Sequence, residues 1–205
     1  MTQITRRSLL LAGTATLALA IAGPAHAVDI AELNKPPELG EMALGAPEGA
    51  KVTIIEYASA TCPHCAAFHK NAYKKLKAEY IDTNKIRFVF REFPLNDAAL
   101  AAFMIARAAP KEAYFPIIDV LFDTLEVWAA DPMKGLGDIA KQAGFTTEKF
   151  EATLKDEALA RGIMAIRDGG SKFGVQGTPS FFVNGEMFEG DRTFEAFKTK
   201  IDSLL

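Results

Sequence analysis

The only two cysteines in the 205-residue chain stand three positions apart, in Cys62-Pro63-His64-Cys65. A disulfide between them closes a ring of four residues. The chain entropy removed by so short a ring is small, so the bond is a poor structural staple. A strained, small ring is suited to opening and closing, which makes disulfide exchange the reading for this pair. A structural zinc site would want four Cys or His ligands, usually as two pairs. Apart from His26, which lies in the leader described next, the sequence offers only His64 and His69 beside the cysteines. A c-type haem would need His directly after the second cysteine, where Ala66 stands.

The first 27 residues read as an export signal. Arg6 and Arg7 form a positive start, Leu9 to Gly23 is apolar and uncharged, and Ala25-His26-Ala27 offers small residues before a cleavage point at Val28. The apolar run falls short of the roughly 20 residues needed to span a bilayer. Thr5-Arg6-Arg7-Ser8-Leu9-Leu10 also resembles a twin-arginine leader, with Leu9 where that pattern usually has Phe, so the general and twin-arginine routes both stay open. Both end in the periplasm. Without the leader the chain keeps 21 basic and 26 acidic residues. That acidic balance carries no basic face for nucleic acid.

Beyond the leader, residues 28–50 are rich in Pro, Gly and Glu and read as an extended arm with room for a short edge strand. Val52 to Tyr57 is a β-branched run suited to a buried strand. After the cysteines, Phe68, Ala72, Leu76 and Tyr80 recur at helical spacing, and Ile86 to Phe90 is a second strand. Strand–helix–strand in this order is a parallel crossover unit. Residues 97–170 turn helical, with breaks at Pro110, near Pro132 and at Gly144. Ser180 to Val183 and Glu186 to Phe188 read as a hairpin around Asn184-Gly185, followed by an amphipathic helix from about Thr193 to Leu205.

Ile55-Glu56-Tyr57 before Thr61-Cys62-Pro63-His64-Cys65, the strand end Phe93-Pro94-Leu95, and Gly177-Thr178-Pro179-Ser180-Phe181-Phe182-Val183-Asn184-Gly185 together resemble the DsbA family of periplasmic thiol–disulfide oxidoreductases. The resemblance covers essentially all of the chain after the leader. It implies an α/β protein of thioredoxin fold with an inserted all-helical subdomain. Residues 51–96 and 171–205 form the thioredoxin part, 97–170 the insert, and 1–27 the leader.

Cys62, at the N-terminal end of a helix, is expected to be a stabilised thiolate, because free N–H groups and the macrodipole favour an anion there. Cys65, one turn in, is expected to be shielded. Pro63-His64 matches the oxidase pattern of the family, and an imidazolium at His64 would favour the Cys62 thiolate further. Glu56 lies six residues before Cys62 in an otherwise apolar strand, where a carboxylate is costly without a role or partner. By resemblance it sits beneath the disulfide and assists proton transfer to the buried cysteine. Pro179, by resemblance, is a cis-proline facing the disulfide, with the Thr178 backbone open to an extended substrate strand. Thr178 departs from the Val common in oxidases and leaves the direction of electron flow open. His69 reads as a surface residue of the active-site helix, and Trp128 and the phenylalanines of the insert as core. Of Phe181 and Phe182, which alternate on a strand, one is expected to face the core and the other to line a peptide surface.

The leading expectation is an exported dithiol oxidase that needs no cofactor or metal and acts as a monomer. Its partners would be reduced exported polypeptides and, by resemblance, a membrane DsbB-type quinone-linked reoxidant. The competing readings are an isomerase or reductase of the same fold and, from another class, a periplasmic peptide-binding holdase.

Overall fold

The computed structural model describes residues 29–205, so the leader expected over 1–27 lies outside the described residues. Its frame is a five-stranded sheet in the order β1-β3-β2-β4-β5. The strands are β1 (Met42–Gly45), β2 (Thr53–Ala58), β3 (Arg87–Glu92), β4 (Ser180–Val183) and β5 (Glu186–Met187). β2 runs parallel to β3 and antiparallel to β4, while β1 and β5 pair antiparallel at the two edges. The arm supplies the expected edge strand and also a short helix, α1 (Ile30–Asn34), capped by Asp29. The order and the helical insertion match the fold expected from the resemblance.

β2 is central and, after Thr53, buried on both faces. On one face Ile54, Ala58, Phe88, Phe90, Phe181 and Val183 pack beneath the helix that carries the cysteines. On the other, Ile55, Tyr57, Val89 and Phe182 meet Leu33 of α1 and Ile166. Both faces are therefore covered, which corrects the expectation for Phe181 and Phe182. Phe181 joins the larger core against Phe197, Phe182 the smaller one against Tyr57, and neither is open to a peptide.

The cysteine helix begins as α2 (Pro63–Phe68), passes through a π turn (His69–Tyr73), continues as α3 (Lys74–Leu76) and ends in a second π turn (Lys77–Ile81). The insert comprises α4 (Asp97–Ala108), α5 (Tyr114–Asp123), α6 (Leu125–Trp128), α7 (Pro132–Gln142), α8 (Thr147–Leu154) and α9 (Glu157–Lys172). Alanine-rich α4 touches α5, α7, α8 and α9. Its small side chains permit that many close neighbours. α10 (Phe194–Leu204), capped by Thr193, closes the chain. Among the described residues, no helix is long and apolar enough to cross a membrane.

α9 runs past position 170 and lies across the second sheet face. The approach depends on Gly170, where a Cβ would stand 2.7 Å from the Tyr57 ring and 3.3 Å from Phe93. Tyr57 cannot swing away, because its hydroxyl accepts from Arg91. Gly170→Ala should therefore destabilise the protein by about 1–3 kcal/mol through overpacking. A denaturant midpoint unchanged from the parent would contradict this.

β3 ends later than the apolar pattern indicates, because Arg91 and Glu92 are buried in pairs. Arg91 bonds Glu41, Tyr57 and the carbonyls of Leu33 and Lys35, and so ties the arm to the sheet. Glu92 pairs with Arg107 of α4 and accepts from the Tyr114 hydroxyl, tying the insert to the same strand.

Candidate active site

The cysteine pair lies where the central strand hands over to the helix. Cys62 is the N-cap of α2: its backbone is extended, Pro63 follows at the first helical position, and its sulfur accepts from the Cys65 N–H at 3.3 Å. Proline suits that position because its missing N–H would be unpaired there in any case. The loop ahead of Cys62 is held from the insert. Asn96 caps α4 through Oδ1 and donates through Nδ2 to Thr61 Oγ1, and the Leu95 N–H reaches Ser59 Oγ. One asparagine thus fixes both the start of the insert and the approach to the thiol. Sequence reading passed over it.

Both cysteines are free thiols and both are buried, Cys62 with 5% and Cys65 with 0% of its surface exposed. Their surroundings drive them apart. The Cys62 pKa is lowered to about 5, chiefly by the hydrogen bond from the Cys65 thiol. The backbone N–H groups of Cys65 and His64 add to this, against the cost of burial. Cys65 moves upward, through burial first, then its bond to Cys62 and the negative charge of Glu56. The first thiol is thus a stabilised anion and the second a reluctant one.

The Thr178–Pro179 bond is cis. This loop faces Cys62, whose sulfur lies 3.2 Å from the Thr178 carbonyl oxygen. The Thr178 hydroxyl is buried and has no hydrogen-bond partner. Two further contacts hold the loop: Ser180 Oγ donates to the Gly177 carbonyl, and the Arg192 guanidinium reaches the Pro179 carbonyl at 3.4 Å. Arg192 is a second residue that sequence reading missed. Pro63 and His64 are exposed, and the His64 ring, with Thr178, Pro179 and Arg192, lines a groove of about 620 Å³ beside the thiol. Part of His64's contribution is therefore made by its backbone N–H.

Glu56 is fully buried on β2, with Phe90 and Phe181 as its partners in register on the two neighbouring strands. Its Oε2 lies 2.9 Å from His69 Nε2. The surface position expected for His69 is thus corrected: the imidazole is buried, stacked between Phe122 and Tyr73 with centroids 4.2 and 4.4 Å away. His69 follows Cys65 by four positions and precedes Ala72 by three, so it shares the buried stripe of the helix, and Phe90 and Phe122 arrive from other segments to cover it. Among the described residues, no three His, Cys, Asp or Glu come together as a metal-holding group.

A sequence model of the family described as Thioredoxin matches residues 38–203. The chain is 34% identical over 176 residues to a Rickettsia bellii protein described as a candidate protein-disulfide oxidoreductase, covering 79% of this chain and 68% of that one. It spans little more than half the length of further Rickettsia relatives. It is 27% identical over 185 residues to disulfide bond formation protein D of Bacillus subtilis, covering 84% of this chain and 80% of that one. Among solved structures, the crystal structure of Wolbachia pipientis alpha-DsbA1 superposes with a TM-score of 0.76 at 29% identity, covering 84% of this chain and 94% of that one.

Proposed function

The chain belongs to the thioredoxin family and, within it, to the DsbA-like thiol–disulfide oxidoreductases, and on that premise we propose that it is an exported dithiol oxidase. The observation that carries the reading is the opposed pair of thiols, Cys62 lowered to about 5 and Cys65 raised. In the oxidised protein a substrate thiolate attacks Cys62 Sγ, the Cys62–Cys65 bond breaks, and its electron pair goes to Cys65, which takes up a proton. A second substrate thiolate then attacks the substrate sulfur of the mixed disulfide and expels Cys62 as a thiolate. A low leaving-group pKa speeds that release and favours the reduced protein.

Two pH units below neutrality amount to about 2.7 kcal/mol. That corresponds to roughly 60 mV of oxidising bias relative to a thiol titrating at neutral pH. The groove beside Cys62 and the Thr178–Pro179 backbone would receive the extended substrate strand, and Glu56 would serve the proton of Cys65. The substrates are taken to be reduced exported polypeptides, and the reoxidant a membrane DsbB-type quinone-linked protein. The chain would act in the periplasm as a monomer. The free Thr178 hydroxyl supports the competing reading as an isomerase or reductase, since a donor at that position retunes the sulfur.

Equilibration with glutathione decides between these readings. We expect a potential well above the roughly −270 mV typical of thioredoxin. A value at or below that level would overturn the oxidase reading and leave a reductase.

A further inference from the structure

We propose that His69 is the proton relay of the dithiol, carrying the Cys65 proton between the sealed carboxylate of Glu56 and the protein surface beside Asp119. The inference rests on Glu56 serving as acid and base for Cys65, and adds how Glu56 itself exchanges protons. Glu56 has no surface of its own, and its Oε1 is buried without a hydrogen-bond partner. Its other oxygen is committed to His69 Nε2. On the far side of the imidazole, Nδ1 is likewise buried and unpartnered, as is the adjacent Tyr73 hydroxyl. Buried polar atoms normally find partners, so three orphans on residues that touch one another mark a functional path better than a packing choice.

The path has a direction. Glu56 on β2 acts on Cys65 from below. Phe90 and Phe122 wall the imidazole with apolar rings, and Tyr73 stacks on it from its own helix. On α5, half-buried Asp119 stands one turn before Phe122, the ring that stacks on the imidazole, and is near enough for its charge to act on His69 and Tyr73, with exposed Asp123 and Lys74 close by. That placement makes Asp119 the acidic group towards which the path would lead.

The proton count closes over a catalytic cycle. When substrate opens the disulfide, the Glu56 carboxylate takes the Nε2 proton and passes it to Cys65, and Nδ1 receives one from the Asp119 side. The ring is left as the Nδ1–H tautomer. When the dithiol is reoxidised, Cys65 gives its proton to Glu56, Glu56 returns one to Nε2, and the Nδ1 proton leaves. The two halves of the cycle reset the tautomer without any turn of the ring.

The test uses the full chain, reduced and mixed with oxidised glutathione under rapid quench. The first step joins glutathione to Cys62 and needs no relay; the second, attack by Cys65, must shed the Cys65 proton. His69→Gln keeps a donor towards Glu56 but cannot pass a proton. It should slow the second step by about tenfold to a hundredfold, towards the lower range of what acid–base assistance contributes. The first step and the alkylation rate of Cys62 should stay within twofold. The solvent deuterium isotope effect on the second step should rise, which a packing defect alone would not produce. Asp119→Asn provides a variant outside the core and should slow the same step in the same direction. If Glu56→Gln is slow while both His69→Gln and Asp119→Asn run at the parent rate, the relay is overturned and the role of Glu56 survives. If Glu56→Gln is also unaffected, the role of Glu56 itself fails.

Discussion

Serine in place of Cys62 will leave the protein unable to oxidise a reduced test polypeptide, with a loss of about a thousandfold or more, or about 4 kcal/mol at 1.36 kcal/mol per decade. A serine oxygen cannot form the mixed disulfide and is no leaving group at neutral pH. The fold should survive, because Cys62 caps α2 through its side chain and serine is among the preferred N-cap residues. The variant therefore separates chemistry from binding. A holdase would keep suppressing aggregation of an unfolded client in the Cys62→Ser protein, and full retention of activity there would sink the oxidase assignment. Cys65→Ser gives the complementary result, trapping substrate on Cys62 as a mixed disulfide visible on a non-reducing gel.

The reduced protein will gain stability relative to the oxidised one as pH rises from 5 to 7, by roughly 2 kcal/mol. The sign follows from the Cys62 thiol, lowered from 9.0 in the unfolded chain to about 5 in the folded protein. A group depressed in this way contributes fully only above its unfolded value. Its contribution shrinks as pH falls and is gone below about 5. The oxidised protein has no titrating thiol, and the small entropic benefit of its ring does not vary with pH. For a chain of this size the difference in melting temperature between the two forms should move by roughly 4–8 °C over that interval. Melting curves of the two forms that run parallel from pH 5 to 9 would show that Cys62 is not held as a thiolate.

Much of this site is legible in the sequence, because its chemistry depends on neighbours in the chain. Cys62 as an N-cap, Pro63 after it and the Asn184-Gly185 hairpin follow from residues at short spacing, and the cis bond at Pro179 follows from the family resemblance. What escapes depends on geometry between distant segments. His69 sits on the same helical stripe as Cys65, Ala72 and Leu76, but its polar side chain looks like a surface residue because its partner Glu56 and the rings of Phe90 and Phe122 come from distant segments. Arg91 and Glu92 look like the end of a strand, yet each is buried because Glu41 and Arg107 arrive from elsewhere to neutralise it. Phe182 looks available to a ligand until α1 and α9 close over the second sheet face. Asn96 and Arg192 carry no local signal, since their partners lie in loops that only the fold brings near.

The wide turns of the cysteine helix make its length a coded quantity. In a regular α-helix each residue advances about 100° around the axis. Deleting one residue between Phe68 and Lys74 would let the His69–Tyr73 turn relax to α geometry. Everything towards Ile81 would keep its facing, because the extra residue of the wide turn is the one removed. An insertion in α2 would instead rotate all that follows, carrying Tyr80 away from Asp202, its hydrogen-bond partner in α10. Loss and gain of a residue are thus unequal events along this helix. The first is absorbed by the wide turn, and the second dismantles the seam with α10.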